Sequence, residues 1–212
     1  MKMHYIQPTK EFLSKVNPVL DGAFSRCQNF LKLEKKIYIH LSFTDDKYVV
    51  GRMGGASGRT LDKKNIQISV NTKPKTWKSA VLSTAAHEFN HAIRMQYTKK
   101  EIDKDWKLID TIALEGLGQI CEEEITGKKA PYSKAVSREK AKKLWQGVKP
   151  RTLSFSDSFY RKLFFGWKKL YPVWGGYTMS YLIVKKRREE LGLGWEELMK
   201  LDSKKLIGKG FD

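Results

Sequence analysis

His87-Glu88-Phe89-Asn90-His91 is the most informative segment of this sequence. On an α-helix, residues i and i+4 lie on one face, about 6 Å apart along the axis, so two imidazoles there can bind one metal ion. Glu88 follows the first histidine and can reach a water molecule held on that ion. The spacing predicts a helix that carries two metal ligands, His87 and His91, and a general base, Glu88.

The residues before and within the motif have the period of a helix. Apolar side chains recur at helical spacing through this segment: Trp77, Val81, Ala85, Phe89 and Ala92. The motif therefore falls inside a helix, which is the context that its chemistry requires. The alternative, two exposed surface histidines without a metal, is less favoured.

A strand is predicted directly before this helix. Ile66, Ile68 and Val70 alternate with polar residues, which is typical of a half-buried strand, and Lys73-Pro74 ends it. An extended peptide can add to a strand at a sheet edge through main-chain hydrogen bonds. Two alternatives stay open for 65–71: a strand that lies along a substrate, or an ordinary strand without a ligand.

Two other segments are predicted to interrupt regular structure. Asn17-Pro18 is expected to divide the first helical stripe, because proline suits the first turn of a new helix. Gly51 to Thr60 is rich in glycine and predicts a turn or loop. It lacks the Gly-Lys-Ser/Thr ending of a phosphate-binding loop, so it predicts no nucleotide site.

Length and composition predict a mainly helical α+β fold, with a small mixed sheet packed on the motif helix. A chain of 212 residues suits a single domain, 1–212, with a sheet-containing part, 1–98, and a helical part, 99–212. No apolar run approaches the roughly 20 residues that cross a bilayer. Met1 to Lys10 lacks the apolar centre of a signal peptide. We therefore expect no membrane span, a cytoplasmic location, and two reduced, buried thiols at Cys27 and Cys121.

The formal net charge is +18, and the basic excess is concentrated in 128–170. This segment has 13 basic residues and only two acidic ones, Glu139 and Asp157. One interpretation is a patch that binds nucleic acid or another acidic partner. The other is a solvated lysine-rich face over an aromatic core. We favour the second, because no nucleic-acid-binding motif accompanies the charge. The interleaved aromatic residues are Tyr132, Trp145, Phe155, Phe159, Tyr160, Phe164, Phe165 and Trp167.

A zinc site needs a third protein ligand, with a fourth position left for water. The remaining histidines precede the motif, and the metzincin positions after it hold Arg94 and Tyr97, so that class is excluded. A downstream carboxylate is left. Glu115, in a predicted helix from about Asp103 to Thr126, is favoured over Asp110 by its central position and its neighbouring glycines.

With these residues the sequence resembles the YjaZ-like family of predicted zinc-dependent proteases, of gluzincin type. The matching segments are His87 to Arg94, Leu114 to Gly118, and Gly176-Tyr177 with Ser180-Tyr181. The resemblance implies a zincin-like fold and Zn²⁺ bound by His87, His91 and Glu115. Gluzincins often place an acid four residues after the ligand glutamate, where this chain has Gln119. Its amide oxygen can still accept a hydrogen bond from a ligand histidine.

The expected activity is that of a zinc metallopeptidase, in which a zinc-activated water attacks a peptide or protein substrate and Glu88 acts as general base. Tyr177 is the predicted oxyanion donor, with a packing role for its ring as the alternative. Two rival functions stay open. One is a basic nucleic-acid- or anion-binding protein with a structural or vestigial zinc site. The other is a zincin-like hydrolase that acts on a non-peptide substrate.

Overall fold

The computed structural model describes residues 8–31, 36–98 and 106–211. These residues form a mainly helical α+β protein with one small mixed sheet, which confirms the predicted fold class. The chain divides into two compact units, Met1–Gln96 with Glu124–Gly127, and Tyr97–Glu123 with Lys128–Asp212. The organisation as a single domain, 1–212, stays a prediction.

The sheet of the first unit has three strands: β1 (Tyr38–Phe43), β2 (Ala56–Thr60) and β3 (Asn65–Val70). Their order is β1-β3-β2, with β1 parallel and β2 antiparallel to β3. Ile66, Ile68 and Val70 are fully buried and the residues between them are less so, as the alternation predicts. Because β3 is paired on both sides, it has no open edge, and the hypothesis that a peptide adds to 65–71 is wrong. The edge strands of the described sheet are β1 and β2.

Strand β2 corrects the prediction of a loop over Gly51 to Thr60. Helix α2 (Lys47–Arg52) is followed by a turn at Gly54 and Gly55, whose φ angles of 70° and 103° only glycine adopts readily, and then by the strand. Glycine and polar residues give this segment little intrinsic strand preference. Its pairing with β3, from Ala56↔Val70 to Thr60↔Ile66, supplies the hydrogen bonds that hold it extended. Such pairing is not local and leaves no period in the sequence.

Helix α1 (Lys10–Leu31) is continuous through Pro18, so the predicted break at Asn17-Pro18 is wrong. Pro18 is on the exposed side, where water can satisfy the carbonyl that loses its helical partner. The opposite side carries an unbroken buried stripe that favours one helix: Val16, Leu20, Ala23, Phe24, Cys27 and Leu31. The ring centroids of Phe24 and Phe89 are 6.0 Å apart. This contact packs α1 on the motif helix, α3 (Trp77–Thr98).

The second unit is built on α4 (Leu108–Thr126), which ends at Gly127 (φ 73°) as predicted. The predicted helix start near Asp103 lies outside the described residues, and the observed helix begins at Leu108. Two 3-10 turns (Pro131–Lys134 and Lys149–Arg151) and five further α-helices follow: α5 (Arg138–Val148), α6 (Asp157–Phe165), α7 (Gly175–Leu191), α8 (Trp195–Lys200) and α9 (Ser203–Ile207). Their core includes Leu117, Trp145, Phe164, Val184, Leu198 and Leu206.

The aromatic residues of 128–170 fall into two groups, so the favoured interpretation of the basic segment holds only in part. The interpretation as a binding patch for an acidic partner stays a prediction. Trp145 and Phe164 are buried in the core, as the favoured interpretation predicts. Phe155, Phe165 and Trp167 are exposed instead. Cys27 and Cys121 are free and buried, which confirms the prediction for the two thiols. Among the described residues, no helix is long and apolar enough to cross a membrane.

Candidate metal centre

Helix α3 holds the whole motif in its buried middle. From Ala85 to Met95 every residue is buried, including His87, Glu88 and His91. The imidazole rings of His87 and His91 have centroids 4.4 Å apart, with 64° between their planes. The i, i+4 spacing therefore brings the two rings side by side on one face of the helix, as the sequence predicts.

Among the described residues, one group of side chains could hold a metal ion: His87, His91 and Glu115. All three are buried, and their ligand atoms lie within 4.8 Å of one another. Two imidazole nitrogens and a carboxylate oxygen form a donor set that suits zinc, with a fourth position left for water. The donor chemistry fits the metal that the resemblance implies.

Glu88 is held by strand β2 rather than by another part of the helix. Thr60 Oγ1 lies 2.8 Å from Glu88 Oε2 and 3.0 Å from the Glu88 carbonyl oxygen. A threonine hydroxyl has one proton, so it donates to one of these oxygens at a time. The contact orients Oε2. Oε1 has no donor among the described residues and can face the substrate water.

Gly58 of β2 also lies against Glu88, in a place where only a residue without a side chain fits. A Cβ atom on Gly58 would overlap Cγ of Glu88 and would lie 2.7 Å from Cγ2 of Thr84. The Glu88 side chain thus occupies the space that a larger residue at position 58 would fill. Strand β2 is shaped around the predicted general base, by a glycine that makes room for it and a threonine that binds it.

Glu115 stands in α4, next to a close approach of two helices. A Cβ atom on Gly116 would overlap the Val184 side chain and would lie 2.7 Å from the carbonyl oxygen of Ser180. The glycine therefore lets α4 pack tightly on α7. Asp110, the rival ligand, has a structural role, because its Oδ2 accepts the backbone N–H of Lys107 at 3.0 Å, at the first turn of α4.

Gln119 ties together several parts of the second unit. Its Nε2 donates to the carbonyl oxygens of Glu115, at 2.9 Å, and of Tyr177, at 3.0 Å. Its Oε1 accepts from Ser133 Oγ at 2.8 Å. The acceptor atom that the sequence suggested for a ligand histidine thus binds a serine hydroxyl. Gln119 fixes the backbone beside Glu115 and the backbone of Tyr177 through one side chain.

Tyr177 lies among aromatic rings near the start of α7. Its ring centroid is 5.0 Å from that of Phe164 and 5.3 Å from that of Tyr132. These contacts show the packing role, while its role as oxyanion donor stays a prediction. Tyr132 donates its hydroxyl hydrogen to Glu122. Burial and then the adjacent Glu122 carboxylate raise the pKa of Tyr132 well above its usual value.

Sequence reasoning missed Thr60, Gly58 and Tyr132. The first two lie 28 and 30 positions before Glu88 in a segment predicted as a loop, so nothing local pointed to them. Glycine and threonine are also too common in a glycine-rich stretch for either to be singled out. In the sequence, Tyr132 stands out only as one of the aromatic residues of the basic segment.

A family profile described as "Predicted Zn-dependent protease (DUF2268)" matches residues 16–208. The match covers most of the chain, which therefore belongs to this family of predicted zinc-dependent proteases. The resemblance carried by the motif residues is confirmed at the level of the family. No curated protein and no solved structure matches the chain significantly.

Proposed function

We propose that this protein is a zinc-dependent metallopeptidase of gluzincin type. The single observation that carries the proposal is the buried group of His87, His91 and Glu115, whose ligand atoms lie within 4.8 Å of one another. Membership of a family of predicted zinc-dependent proteases supports it independently. Three protein ligands with one position left for water are typical of catalytic rather than structural zinc sites.

His87, His91 and Glu115 would hold the ion. Bound there, zinc would supply Lewis acidity, which lowers the pKa of a coordinated water to about 7 and polarises the scissile carbonyl. Glu88 is adjacent to the ligand His87 but belongs to no ligand set, and Thr60 orients its carboxylate. In the proposed reaction Glu88 takes a proton from the attacking water and delivers it to the leaving nitrogen.

Two further parts of the chain are assigned to the substrate. Tyr177 would donate its hydroxyl hydrogen to the carbonyl oxygen as that oxygen gains negative charge. Strand β2, an edge strand of the described sheet that contacts Glu88, would bind an extended peptide through main-chain hydrogen bonds. The proposed peptide-binding edge is therefore 56–60 instead of 65–71.

The test is zinc content measured together with hydrolysis. We expect about one zinc per chain in dialysed wild-type protein and a large loss of zinc in Glu115→Ala. Asp110→Asn is the matched control and should keep its zinc, because Asp110 serves the start of α4. Glu88→Gln should also keep zinc but lose hydrolysis of a peptide library by about 10⁴-fold.

Each outcome separates the proposal from its rivals. Zinc retained in Glu115→Ala would remove Glu115 from the ligand set. Full zinc in the wild type without peptide hydrolysis would favour a structural site or a non-peptide substrate. Hydrolysis that survives Glu88→Gln would contradict the general-base assignment.

A further inference from the structure

Exposed apolar side chains concentrate in one short part of the second unit. Of the nine large hydrophobic residues exposed among the described residues, six fall within 153–173. A patch of this kind on a folded domain usually marks an interaction site. We call it the 153–173 surface; its members are Leu153, Phe155, Phe165, Trp167, Leu170 and Val173.

The 153–173 surface ends in a hairpin with a defined backbone. Helix α6 stops at Gly166, whose φ is 98°, and Trp167 and Tyr171 then exchange backbone hydrogen bonds of 2.7 and 3.1 Å. The three-residue tip between them, 168–170, carries Leu170, the most exposed of the six at 69%. An apolar residue is therefore presented outward on a hydrogen-bonded turn.

Ring contacts connect Phe155 and Phe165 through Tyr160. The Tyr160 ring lies 6.3 Å from that of Phe155 and 5.8 Å from that of Phe165. Val173 packs against the turn, since its Cγ2 would be only 2.9 Å from a Cβ atom on Gly166. Helix α6, the segment before it and the hairpin thus all contribute exposed apolar side chains to the 153–173 surface.

Cations surround this apolar area. Residues 149–173 contain six basic side chains and one acid, Asp157, which is paired with Arg161 at 2.7 Å. The ammonium groups of Lys162 and Lys168 lie 4.9 and 5.3 Å from the Trp167 ring centroid. Positive charge is therefore placed at the margin of the apolar surface, next to its tryptophan.

We propose that the 153–173 surface docks on an anionic lipid bilayer, with the hairpin tip inserted among the lipid headgroups. Leu170 and Val173 would enter the acyl region, Trp167 would lie at the headgroup level, and the lysines would bind lipid phosphates. A single-stranded nucleic acid would use the same cations and could stack on the aromatic rings, but it gains nothing from exposed aliphatic side chains. The exposed aliphatic residues at the tip therefore favour a bilayer over a nucleic acid.

The experiment is co-sedimentation of the full chain with vesicles at low salt. Vesicles of phosphatidylcholine with roughly a third phosphatidylglycerol should bind the protein, pure phosphatidylcholine vesicles should bind it weakly, and added salt should release it. Leu170→Ser should weaken binding by about tenfold. Leu61→Ser is the matched control, because Leu61 is another exposed leucine, at 45%, and belongs to the first unit.

The contribution of charge is tested with two adjacent lysine pairs. Replacing Lys168 and Lys169 by Gln should weaken vesicle binding by about tenfold or more, while the same change at Lys142 and Lys143, an exposed pair on α5, should have little effect. Equal losses from the two pairs would overturn the proposal, because they would show a general effect of net charge. It would also be overturned by absence of binding to the anionic vesicles.

A single-stranded oligonucleotide tests the competing partner. Tight binding that requires Lys168 and Lys169 but is unaffected by Leu170→Ser, together with vesicle binding that is also unaffected by Leu170→Ser, would assign the surface to nucleic acid. None of these measurements depends on zinc or hydrolysis, so their outcome is separate from that of the proposed peptidase activity.

Discussion

Helices α3 and α4 both bury polar side chains in their middle turns, but the two helices hold these groups differently. In α4, Gln119 has partners at both ends of its amide, and Asp110 and Glu122 accept hydrogen bonds from a backbone N–H and a tyrosine hydroxyl. In α3, the Glu88 carboxylate accepts a hydrogen bond from one hydroxyl, that of Thr60. Gly58 lies against its side chain and leaves space for it. The Gln119 amide is bonded at both ends, whereas no donor among the described residues reaches Oε1 of the predicted base.

Among the variants that test this comparison, Gly58→Ala is expected to have the largest effect. The added Cβ overlaps the Glu88 side chain and would displace the predicted base. We expect hydrolysis to fall by about a hundredfold with zinc content unchanged, measured by turnover and metal analysis on the same sample. Gly51→Ala is the control, since nothing lies within 4 Å of its added Cβ. Unchanged turnover in Gly58→Ala would show that the shape of β2 does not matter to Glu88.

Gly116→Ala tests the corresponding contact in the second unit. Its Cβ would overlap Val184 and press on the Ser180 carbonyl, so overpacking should lower the free energy of unfolding by about 1–3 kcal/mol. Gly22→Ala is also in a helix but meets nothing within 4 Å, and it should stabilise by about 0.5–1 kcal/mol. Denaturant unfolding of both variants gives the measurement. Equal effects of the two changes would contradict the close approach of α4 and α7.

Thr60→Val removes only the hydroxyl that orients Glu88 and so tests the contribution of this hydrogen bond. Loss of a hydrogen bond to a carboxylate should lower turnover by about tenfold while zinc content stays the same. Thr60→Ser restores the hydroxyl and should restore most of the rate. A rate that stays low in the serine variant would point to packing of the methyl group instead.

The smallest effect is expected at Tyr181 of α7, whose hydroxyl contacts Glu123 of α4. Its hydroxyl donates to Glu123 at 2.5 Å and accepts from Lys185 at 2.9 Å. Burial, followed by the hydrogen bond to Glu123, raises the pKa of Tyr181 to about 12 from 10.0. The folded state therefore favours the neutral phenol, and this stabilisation is complete below the unfolded pKa and is lost as pH rises through the folded one.

Tyr181→Phe should accordingly cost about 1 kcal/mol at neutral pH, and the difference from wild type should shrink as the pH approaches about 12. Thermal unfolding across the alkaline range measures it. A difference that does not change with pH would mean that the hydroxyl does not titrate with folding.

Local periodicity accounts for what the sequence could predict. Helix α3 and the alternation of β3 follow from spacing alone, and so does the pair His87 and His91. Strand β2 could not be found, because its hydrogen bonds come from β3 and its glycines argue against a strand. Continuity of α1 through Pro18 depends on a buried stripe that overrides the local penalty.

Aromatic residues show the same limit at the surface. Phe164 is buried and its neighbour Phe165 is exposed, although the two have the same side chain in the same helix. Which of them faces the core depends on the direction of α6 relative to α7, which the composition of 128–170 does not contain. The 153–173 surface was therefore not predictable as an apolar patch.

The two buried cysteines have an experimental consequence. Cys27 belongs to the first compact unit and Cys121 to the second, and neither is in a disulfide. Burial raises the pKa of the Cys27 thiol to about 12, so the reactive thiolate is scarce while its surroundings stay folded. A thiol reagent can modify each cysteine only when its own surroundings open. The chain thus carries one natural kinetic probe in each unit, and their labelling rates would show whether the two units open together or separately.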